Sequence, residues 1–385
     1  MKVGIDLTSL LFHRGVSRYT RCLFTALSQE TNLQLYPYAA SARGYNELYR
    51  VLVDLQYTLP KEKQAAFSSR LRLQKMPNRL NWLLWHYLNL NPIRKLFPEL
   101  DVFHSWDYLQ PPDSDLPLVS TIHDLTIFKY PYMANWEILT HHRESVRILK
   151  KRQAHIIAVS KHTRDDVINL LGFDERRVHM IYEALPMETL LPQSELTVKN
   201  FMSLRQKYTI NKKYILFVGT REPRKNLNRL IEAWWPLRTS IDLVLVGAKG
   251  WAEPKLAHNN LKILQAVDDY DLGLLYAFAQ MLAYPSLEEG FGLPILEAFA
   301  YKTPVLTSFG TATEEIAGKA GVLINPYSVN EIHSGIKLLL EESAKKRKER
   351  QALMAKQLAK FSWIKTAKET KKIYELAHQD FLHAK

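Results

Sequence analysis

The chain has 385 residues and a formal net charge of +13. Its composition, with 46% hydrophobic and 24% charged residues, excludes a disordered chain, and its single cysteine, Cys22, excludes a disulfide scaffold and predicts a small core residue in a reducing compartment. No apolar run approaches the ~18 residues that cross a bilayer, and the first residues are typical of a strand rather than of a signal peptide. We therefore expect a cytoplasmic protein.

Short apolar runs alternate with helical patterns along the chain, which favours parallel sheets covered by helices. Strands are predicted in the first half at 3–7, 101–104, 118–124, 155–160 and 178–184. A second series is predicted at 214–219, 241–247, 261–264, 281–286, 304–308 and 321–325. These patterns predict an α/β chain of two doubly wound domains, residues 1–188 and 200–360, with a linker in 186–200 and a terminal helix, 361–385. Two such domains facing each other would place a ligand in the cleft between them.

The densest chemical signal is the string EEGFGLPILE at 288–297, where a predicted strand ends and a helix begins. Gly290 and Gly292 carry no side chain, so a ligand can approach their backbone closely. The N–H groups of Phe291, Gly292 and Leu293 would lie at the positive end of a helix dipole. This arrangement is typical of a site for an anion or a sugar hydroxyl.

Two carboxylates and two cations complete the predicted site. Glu289 lies in the loop and Glu297 about one turn into the helix, so the two carboxylates could bind hydroxyls at two ends of one ligand. The alternative is a surface loop with two solvated glutamates. Arg224 and Lys225 follow the strand 214–219 and open a helix, where basic residues oppose the dipole. Their placement indicates phosphate binding, in which Arg offers a fork and Lys a point charge.

These residues resemble the retaining glycosyltransferases of the GT-B fold, in particular family 4. The hallmark of that family, two glutamates separated by seven residues in an E-G-F-G-x-P-x-x-E string, is matched in full by 289–297. GTREPRKNL at 219–227 is similar to the phosphate loop of the family, and FSW at 361–363, together with Tyr374, resembles its closing helix. The resemblance implies two Rossmann-like domains facing a central cleft, with the terminal helix returning to the first domain.

The resemblance also implies a role for each residue of the string. Glu289 would bind the 3-hydroxyl of the donor sugar, and the N–H groups of Phe291 and Gly292 its 4-hydroxyl. Leu293 N–H would contact the phosphate, and Glu297 would hold the ribose hydroxyls.

Three further positions follow from the same resemblance. Val267 would pack on the base of the donor, although Gln265 stands where the family often has glycine. Gly15 would approach the phosphates in the first βα loop, where Ser17 replaces a second glycine and could offer its hydroxyl to a ligand. His123, at the end of a strand, would contact the 6-hydroxyl of the sugar, although a lone histidine is more often structural.

No metal or other cofactor is expected. Two Asp-x-Asp strings occur, Asp113–Asp115 and Asp269–Asp271, but the first lies in a proline-rich turn and the second at a helix start, where aspartates cap. Family members generally need no metal, and we expect the Arg224–Lys225 pair to supply the positive charge instead.

The last 45 residues carry 12 basic and 6 acidic residues, nearly half of the charge excess. A basic terminal helix could lie on an anionic membrane surface, or it could be only a solvated face. Trp82 and Trp85 in NRLNWLLWHYLNL could likewise contact a membrane, although core packing is favoured. Nucleic acid is not an expected partner, because no aromatic residue interleaves the basic run 345–356.

The sequence thus predicts a metal-independent, retaining transferase that moves a hexose from a nucleotide sugar, GDP-mannose first, to a glycan or lipid-linked acceptor in surface polysaccharide or glycolipid synthesis. It could act at the inner face of the plasma membrane. A catalytically inert scaffold of the same fold and a nucleotide-sugar epimerase are the alternatives.

Overall fold

The computed structural model describes residues 1–12, 15–133, 136–186, 190–250 and 258–383. The chain divides into two compact units, Met1–Glu183 with Ser362–Lys385, and Ala184–Phe361. The predicted linker 186–200 falls partly outside the described residues. Its described part contains a short 3-10 helix, Gln193–Glu195, and ends in the first helix of the second unit. No helix among the described residues has the length and apolarity needed to span a membrane.

The first unit contains a seven-stranded parallel sheet of order β3-β2-β1-β4-β5-β6-β7. Its strands are β1 Lys2–Asp6, β2 Gln34–Ala40, β3 Arg72–Gln74, β4 Val102–Trp106, β5 Leu118–Ile122, β6 His155–Ala158 and β7 Val178–Met180. Its helices are α1 Gly15–Ser28, α2 Tyr45–Thr58, α3 Lys61–Arg70, α4 Asn78–His86, α5 Ile93–Leu96, α6 Thr126–Lys129, α7 Trp136–Lys151, α8 Lys161–Asn169 and α16 Trp363–His383. Strands β5 and β6 are buried along their whole length, as expected for a parallel sheet covered on both faces.

The second unit contains a six-stranded parallel sheet of order β10-β9-β8-β11-β12-β13. Its strands are β8 Tyr214–Val218, β9 Asp242–Val246, β10 Leu261–Leu264, β11 Met281–Tyr284, β12 Val305–Ser308 and β13 Val322–Ile324. Its helices are α9 Val198–Tyr208, α10 Leu227–Trp234, α11 Asp269–Phe278, α12 Leu293–Ala300, α13 Ala312–Ala317, α14 Val329–Leu340 and α15 Ala344–Leu358. The two parallel sheets confirm the predicted α/β class.

Helix α16 packs in the first unit, against α1 and strands β4, β5 and β6. Its Tyr374 is fully buried, and the hydroxyl lies 2.6 Å from His104 Nδ1. The other ring nitrogen of His104 lies 2.8 Å from the Thr121 hydroxyl, so a polar chain links the helix to the sheet. Cys22, on α1, is buried and free, as predicted.

Contrary to the expectation from the sequence, the basic terminal run does not form one helix. Lys345 to Lys356 lie on α15 in the second unit, whereas Lys365 to Lys372 lie on α16 in the first. The expected single basic face is therefore wrong, because its charges belong to two compact units.

Candidate active site

The candidate site of the second unit lies where the strand order reverses. Strands β8 and β11 are neighbours in the sheet, but the chain builds β9 and β10 on one side before it returns to β11. Loops that follow two such strands diverge and leave a crevice at the carboxyl edge of the sheet. The loops 219–226 and 285–292 flank this crevice, and they contain the predicted cations and the predicted glutamate.

Glu289 is the centre of an ion cluster at this point. Its Oε2 accepts a hydrogen bond of 2.8 Å from Arg224 Nη1, and its Oε1 lies 2.5 Å from Lys225 Nζ. Arg224 Nε also donates to Glu222 Oε2 at 2.9 Å. Glu289 is 6% exposed, so the alternative of a solvated surface glutamate is wrong for this residue. The structure therefore brings together three residues that lie up to 65 positions apart in the chain.

Backbone contacts hold the two loops in register. Pro223–Lys225 form a 3-10 turn, which ends at Asn226 in the left-handed conformation with φ 61°. The side-chain amide of Asn226 donates to the carbonyl oxygens of Pro285 and Pro326 at 3.0 and 2.6 Å. Leu287 N–H donates to Arg224 O at 2.7 Å. The cations are thus fixed by the fold before any ligand arrives.

The charged groups of the cluster shift one another's pKa values. Burial opposes ionisation of Glu289, but the charges of Arg224 and Lys225 outweigh it and lower its pKa to about 2. Burial, together with the nearby Arg224, lowers the pKa of Lys225, and Glu289 opposes that change. The Lys225 ammonium lies 4.9 Å from the centroid of the Tyr284 ring and donates to its hydroxyl at 2.6 Å. Burial raises the pKa of Tyr284 well above its usual value.

Helix α12 begins immediately after the glycine pair of the string. Gly292 caps the helix with φ 117°, a conformation that other residues rarely adopt, and Pro294 occupies its first turn. The N–H group of Leu293, the first helix residue, has no partner within the helix, Pro294 has no N–H group, and the N–H of Ile295 donates to Gly292 O at 2.9 Å. Phe291 is 4% exposed and contacts Phe361 edge to face, so its side chain packs in the unit and only its backbone can serve a ligand.

Glu297 lies one turn into α12 and is also buried, with 6% exposure. Its Oε2 accepts a hydrogen bond of 2.6 Å from the hydroxyl of Tyr276 on α11. Tyr276 in turn stacks on Tyr301, with ring centroids 6.0 Å apart. Neither Glu289 nor Glu297 is therefore a solvated surface residue, and each accepts hydrogen bonds from named donors.

Arg221 and Val267 extend the candidate site along the sheet. Arg221 is fully buried, and its Nη1 donates to Gly247 O at 2.6 Å, which fixes the loop after β9. Val267 is half-buried in the turn between β10 and α11, and Gln265 beside it is exposed. Strand β10 is three positions from β11 in the sheet, roughly 14 Å at ~4.8 Å per strand. Val267 and Glu289 thus mark two separate parts of the edge.

In the first unit, two predicted residues lie at the start of α1. Gly15 is its first residue, and a Cβ added there would meet no other heavy atom within 4 Å. The Ser17 hydroxyl is buried and donates to Leu10 O at 3.2 Å, so it serves the fold rather than a ligand.

His123 follows β5, and its ring contacts Tyr19 edge to face with centroids 4.6 Å apart. Burial lowers the pKa of His123, against the opposing charges of Asp107 and Asp124, so the ring is neutral at pH 7. Asp124 accepts a hydrogen bond from Thr126 N–H at 2.9 Å and so fixes the loop after β5.

One aspartate of each Asp-x-Asp string, Asp113 in the first and Asp271 in the second, already accepts hydrogen bonds from other groups of the protein. The two oxygens of Asp113 accept the N–H groups of Ile93 and Arg94 at 2.8 and 2.7 Å. Asp271 accepts from Lys207 at 2.5 Å and from the Tyr208 hydroxyl at 2.6 Å. These contacts give the aspartates structural roles.

Sequence reasoning missed the tyrosine partners. Tyr284, at the end of β11, and Tyr276, on α11, place their hydroxyls on Lys225 and Glu297. A tyrosine that ends a buried strand directly before the site loop is a signal for the first. Nothing in the spacing of the chain points to the second, because Tyr276 lies among apolar residues in the last turn of α11.

Comparison with known proteins gives matches across both units. Residues 14–188 match glycosyltransferase family 4, and residues 201–357 match the glycosyl transferases group 1. The O-antigen chain mannosyltransferase B of Escherichia coli is 29% identical over 376 residues, covering 90% of this chain and 94% of that protein. The O-antigen chain mannosyltransferase RfbU of Salmonella typhimurium is 27% identical over 225 residues, covering 56% and 59%. HepE of Anabaena, solved in complex with UDP and glucose, has the same fold, with a TM-score of 0.67 at 16% identity over 97% of this chain and 98% of that chain.

Proposed function

We propose that this chain, which belongs to the GT-B glycosyltransferases of family 4, transfers a hexose from a nucleotide sugar to a glycan or lipid-linked acceptor of a surface polysaccharide or glycolipid, with retention of configuration. The observation that carries the proposal is the buried cluster of Glu289 with Arg224 and Lys225 at the reversal point of the second sheet. The relatives named as mannosyltransferases support GDP-mannose as the donor.

The cations bind the diphosphate of the donor. A diphosphate carries about two negative charges, and more charge develops on its oxygen as the sugar departs. Arg224 and Lys225 are already oriented by Glu289, so little reorganisation is needed when this charge forms. The cluster also contains Glu222, so its formal charges balance before the donor binds. The incoming phosphate then shares the cations with the carboxylates, and in this proposal the transfer proceeds without a metal ion.

In the reaction, the bond between the sugar C1 and the phosphate oxygen breaks. The departing β-phosphate oxygen accepts the proton of the acceptor hydroxyl, and the acceptor oxygen bonds to C1 on the same face. This sequence preserves configuration without a protein nucleophile. Glu289 binds the 3-hydroxyl of the sugar through the oxygen lone pairs that its two cations leave available.

The remaining donor contacts follow the edge of the second sheet. The N–H groups of Phe291 and Gly292 serve the 4-hydroxyl, and that of Leu293 the phosphate. Glu297 binds the ribose hydroxyls with its carboxylate oriented by the Tyr276 hydroxyl. Val267 packs against the base at the far end of this edge.

Two residues of the first unit are proposed as ligand-binding residues. Gly15 leaves open space beside the first turn of α1, which a phosphate can enter. His123 is neutral and can therefore donate or accept one hydrogen bond with a sugar hydroxyl, while its ring is held against Tyr19.

A transfer assay with a panel of nucleotide sugars and a mannan-type acceptor tests the proposal. GDP-mannose should give product that depends on acceptor, with the same anomeric configuration as the donor by NMR, and a chelator should not slow turnover. Arg224→Gln should lower kcat by about 100- to 1,000-fold, the usual loss when one preorganised charge contact is removed. Arg176→Gln is the matched control, because the Arg176 side chain is 88% exposed.

Equal turnover in Arg224→Gln and the wild type would overturn the site assignment. Acceptor-independent conversion of the nucleotide sugar would instead favour an epimerase or a hydrolase, and an inert scaffold would bind a nucleotide sugar without converting it.

A further inference from the structure

The first unit carries an exposed apolar surface that the donor site does not use. It is formed by α4, the turn 87–91 and the first residues of α7, and we call it the α4–α7 surface. Its exposed large apolar side chains are Leu80, Leu83, Tyr87, Leu88, Leu90, Trp136 and Ile138. Trp136 is 73% exposed, and the other six are between 42% and 53% exposed. Contiguous apolar patches of this kind mark interaction sites on soluble proteins.

Specific contacts join α4 to α7, so these residues form one surface. Arg79 makes two hydrogen bonds to the Glu137 carboxylate, at 2.8 and 2.9 Å. Trp82 stacks on His141 with ring centroids 4.3 Å apart. Beneath them, Trp85 is 1% exposed and belongs to the core. The predicted core packing of this segment is thus confirmed for Trp85, while the leucines on its other face remain exposed.

The charge of the same segment is one-sided. From Lys63 to Pro98 the chain has seven Lys or Arg residues and no Asp or Glu. Lys75 and Lys95, which flank α4 and its turn, are exposed. On α15, in contrast, acidic Glu349 interrupts the basic run. The α4 segment therefore combines exposed leucines, exposed aromatic residues and the exposed cations Lys75 and Lys95, whereas its Arg79 and Arg94 are paired with Glu137 and Asp115.

We propose that the α4–α7 surface binds an anionic lipid bilayer. Exposed leucines can enter the boundary between headgroups and acyl chains, while Tyr87 and Trp136 suit the interface because one end of each side chain is polar. The flanking cations attract anionic headgroups, and long basic side chains can keep their charge in the headgroup layer. An acidic protein partner would account for the positive charge of this surface but would not require its exposed leucines. Lipid binding goes beyond the proposed function, since neither donor binding nor sugar transfer depends on it.

Co-sedimentation of the full chain with vesicles tests the proposal. The wild type should bind vesicles that contain phosphatidylglycerol much more tightly than vesicles of phosphatidylcholine alone, and salt should weaken the binding. Leu83→Ser with Leu88→Ser should weaken it at least about tenfold, because both side chains lose apolar burial. Lys75→Gln with Lys95→Gln should weaken it by about fivefold for each cation removed.

Matched variants elsewhere separate this surface from general stickiness. Leu338→Ser, which changes a leucine with 55% exposure on α14, and Lys345→Gln with Lys348→Gln on α15 should leave vesicle binding unchanged. Sugar transfer to a water-soluble acceptor should stay at the wild-type rate in the Lys75/Lys95 variant. A wild-type chain that binds vesicles but transfers no sugar would count against the proposed function alone.

Three outcomes would overturn the proposal. The wild type could fail to bind anionic vesicles, or the α15 variant alone could weaken binding, which would place the contact on the second unit. Alternatively, sedimentation velocity without lipid could reveal a dimer that Leu83→Ser dissociates, in which case the surface would be an interface between two copies of the chain.

Discussion

Replacing Glu289 by glutamine should remove a stabilising contribution that disappears in acid. The carboxylate holds two buried or half-buried cations, and its pKa is lowered from 4.5 to about 2. A difference of this size corresponds to about 3 kcal/mol of folding free energy at neutral pH. Because the pKa is lower in the folded state, the contribution is fully present above about pH 5 and is lost as the pH falls toward 2.

Equilibrium unfolding in denaturant at pH 7, 5 and 3 measures this effect. The free energy of unfolding of Glu289→Gln should be about 3 kcal/mol below that of the wild type at pH 7 and 5. Roughly half of this difference should be left at pH 3, because the carboxylate of the unfolded wild type is then mostly protonated whereas that of the folded wild type is still mostly ionised. The loss at neutral pH also reflects the cost of leaving Lys225 buried without its anion.

A matched control is Glu341→Gln, because Glu341 is 70% exposed and lies 3.9 Å from Lys337. Exposed pairs of this kind contribute less than about 1 kcal/mol, so the control should differ little from the wild type at each pH. A Glu289→Gln deficit of the same size at pH 3 and pH 7 would refute the reasoning, since it would show that the loss does not depend on the carboxylate charge.

Two further substitutions separate ligand binding from folding. Tyr276→Phe removes the hydroxyl that orients Glu297. In steady-state kinetics it should raise the KM for the donor about tenfold with little change in kcat. A fall in kcat alone would contradict a role in ribose binding. Gly292→Ala should destabilise the protein by about 1 to 3 kcal/mol in thermal or chemical unfolding, because the residue has φ 117°. Gly15→Ala should leave stability nearly unchanged, since its Cβ enters open space, and should still weaken donor binding in calorimetry. Unaltered donor affinity in Gly15→Ala would remove that residue from the site.

Much of the second unit could be predicted from the sequence because its central strands, β8, β9, β11 and β12, are short apolar runs buried on both faces. All six of its predicted strands are present, and the loop after β11 carries the glutamate where the string places it. In the first unit, β2 was missed because its sequence, QLYPYAA, contains a proline. Pro37 is tolerated because a strand pairs with it on one side only. On that side it faces Ile5 of β1, whereas β3, on the other side, pairs with Tyr38 to Ala40 and not with Pro37.

The partners of the site residues could not be predicted from spacing. Side chains 21 positions apart, Tyr276 and Glu297, meet only because α11 and α12 pack together. Residues 341–385 contain no proline or glycine, so no residue marks the break between α15 and α16. That break depends on the tertiary packing of each helix in its own unit.

The return of α16 to the first unit has a consequence for synthesis on the ribosome. When Glu183 has emerged, the unit still lacks its last helix, and about 200 further residues must be translated, which takes roughly 10 to 40 s at ordinary rates. During that interval His104 lacks its hydrogen-bond partner Tyr374, and the part of α1 that α16 later covers is exposed to water. The second unit, a continuous segment, has all of its residues before the first is complete. The first unit is therefore the last to be completed, although its synthesis begins first.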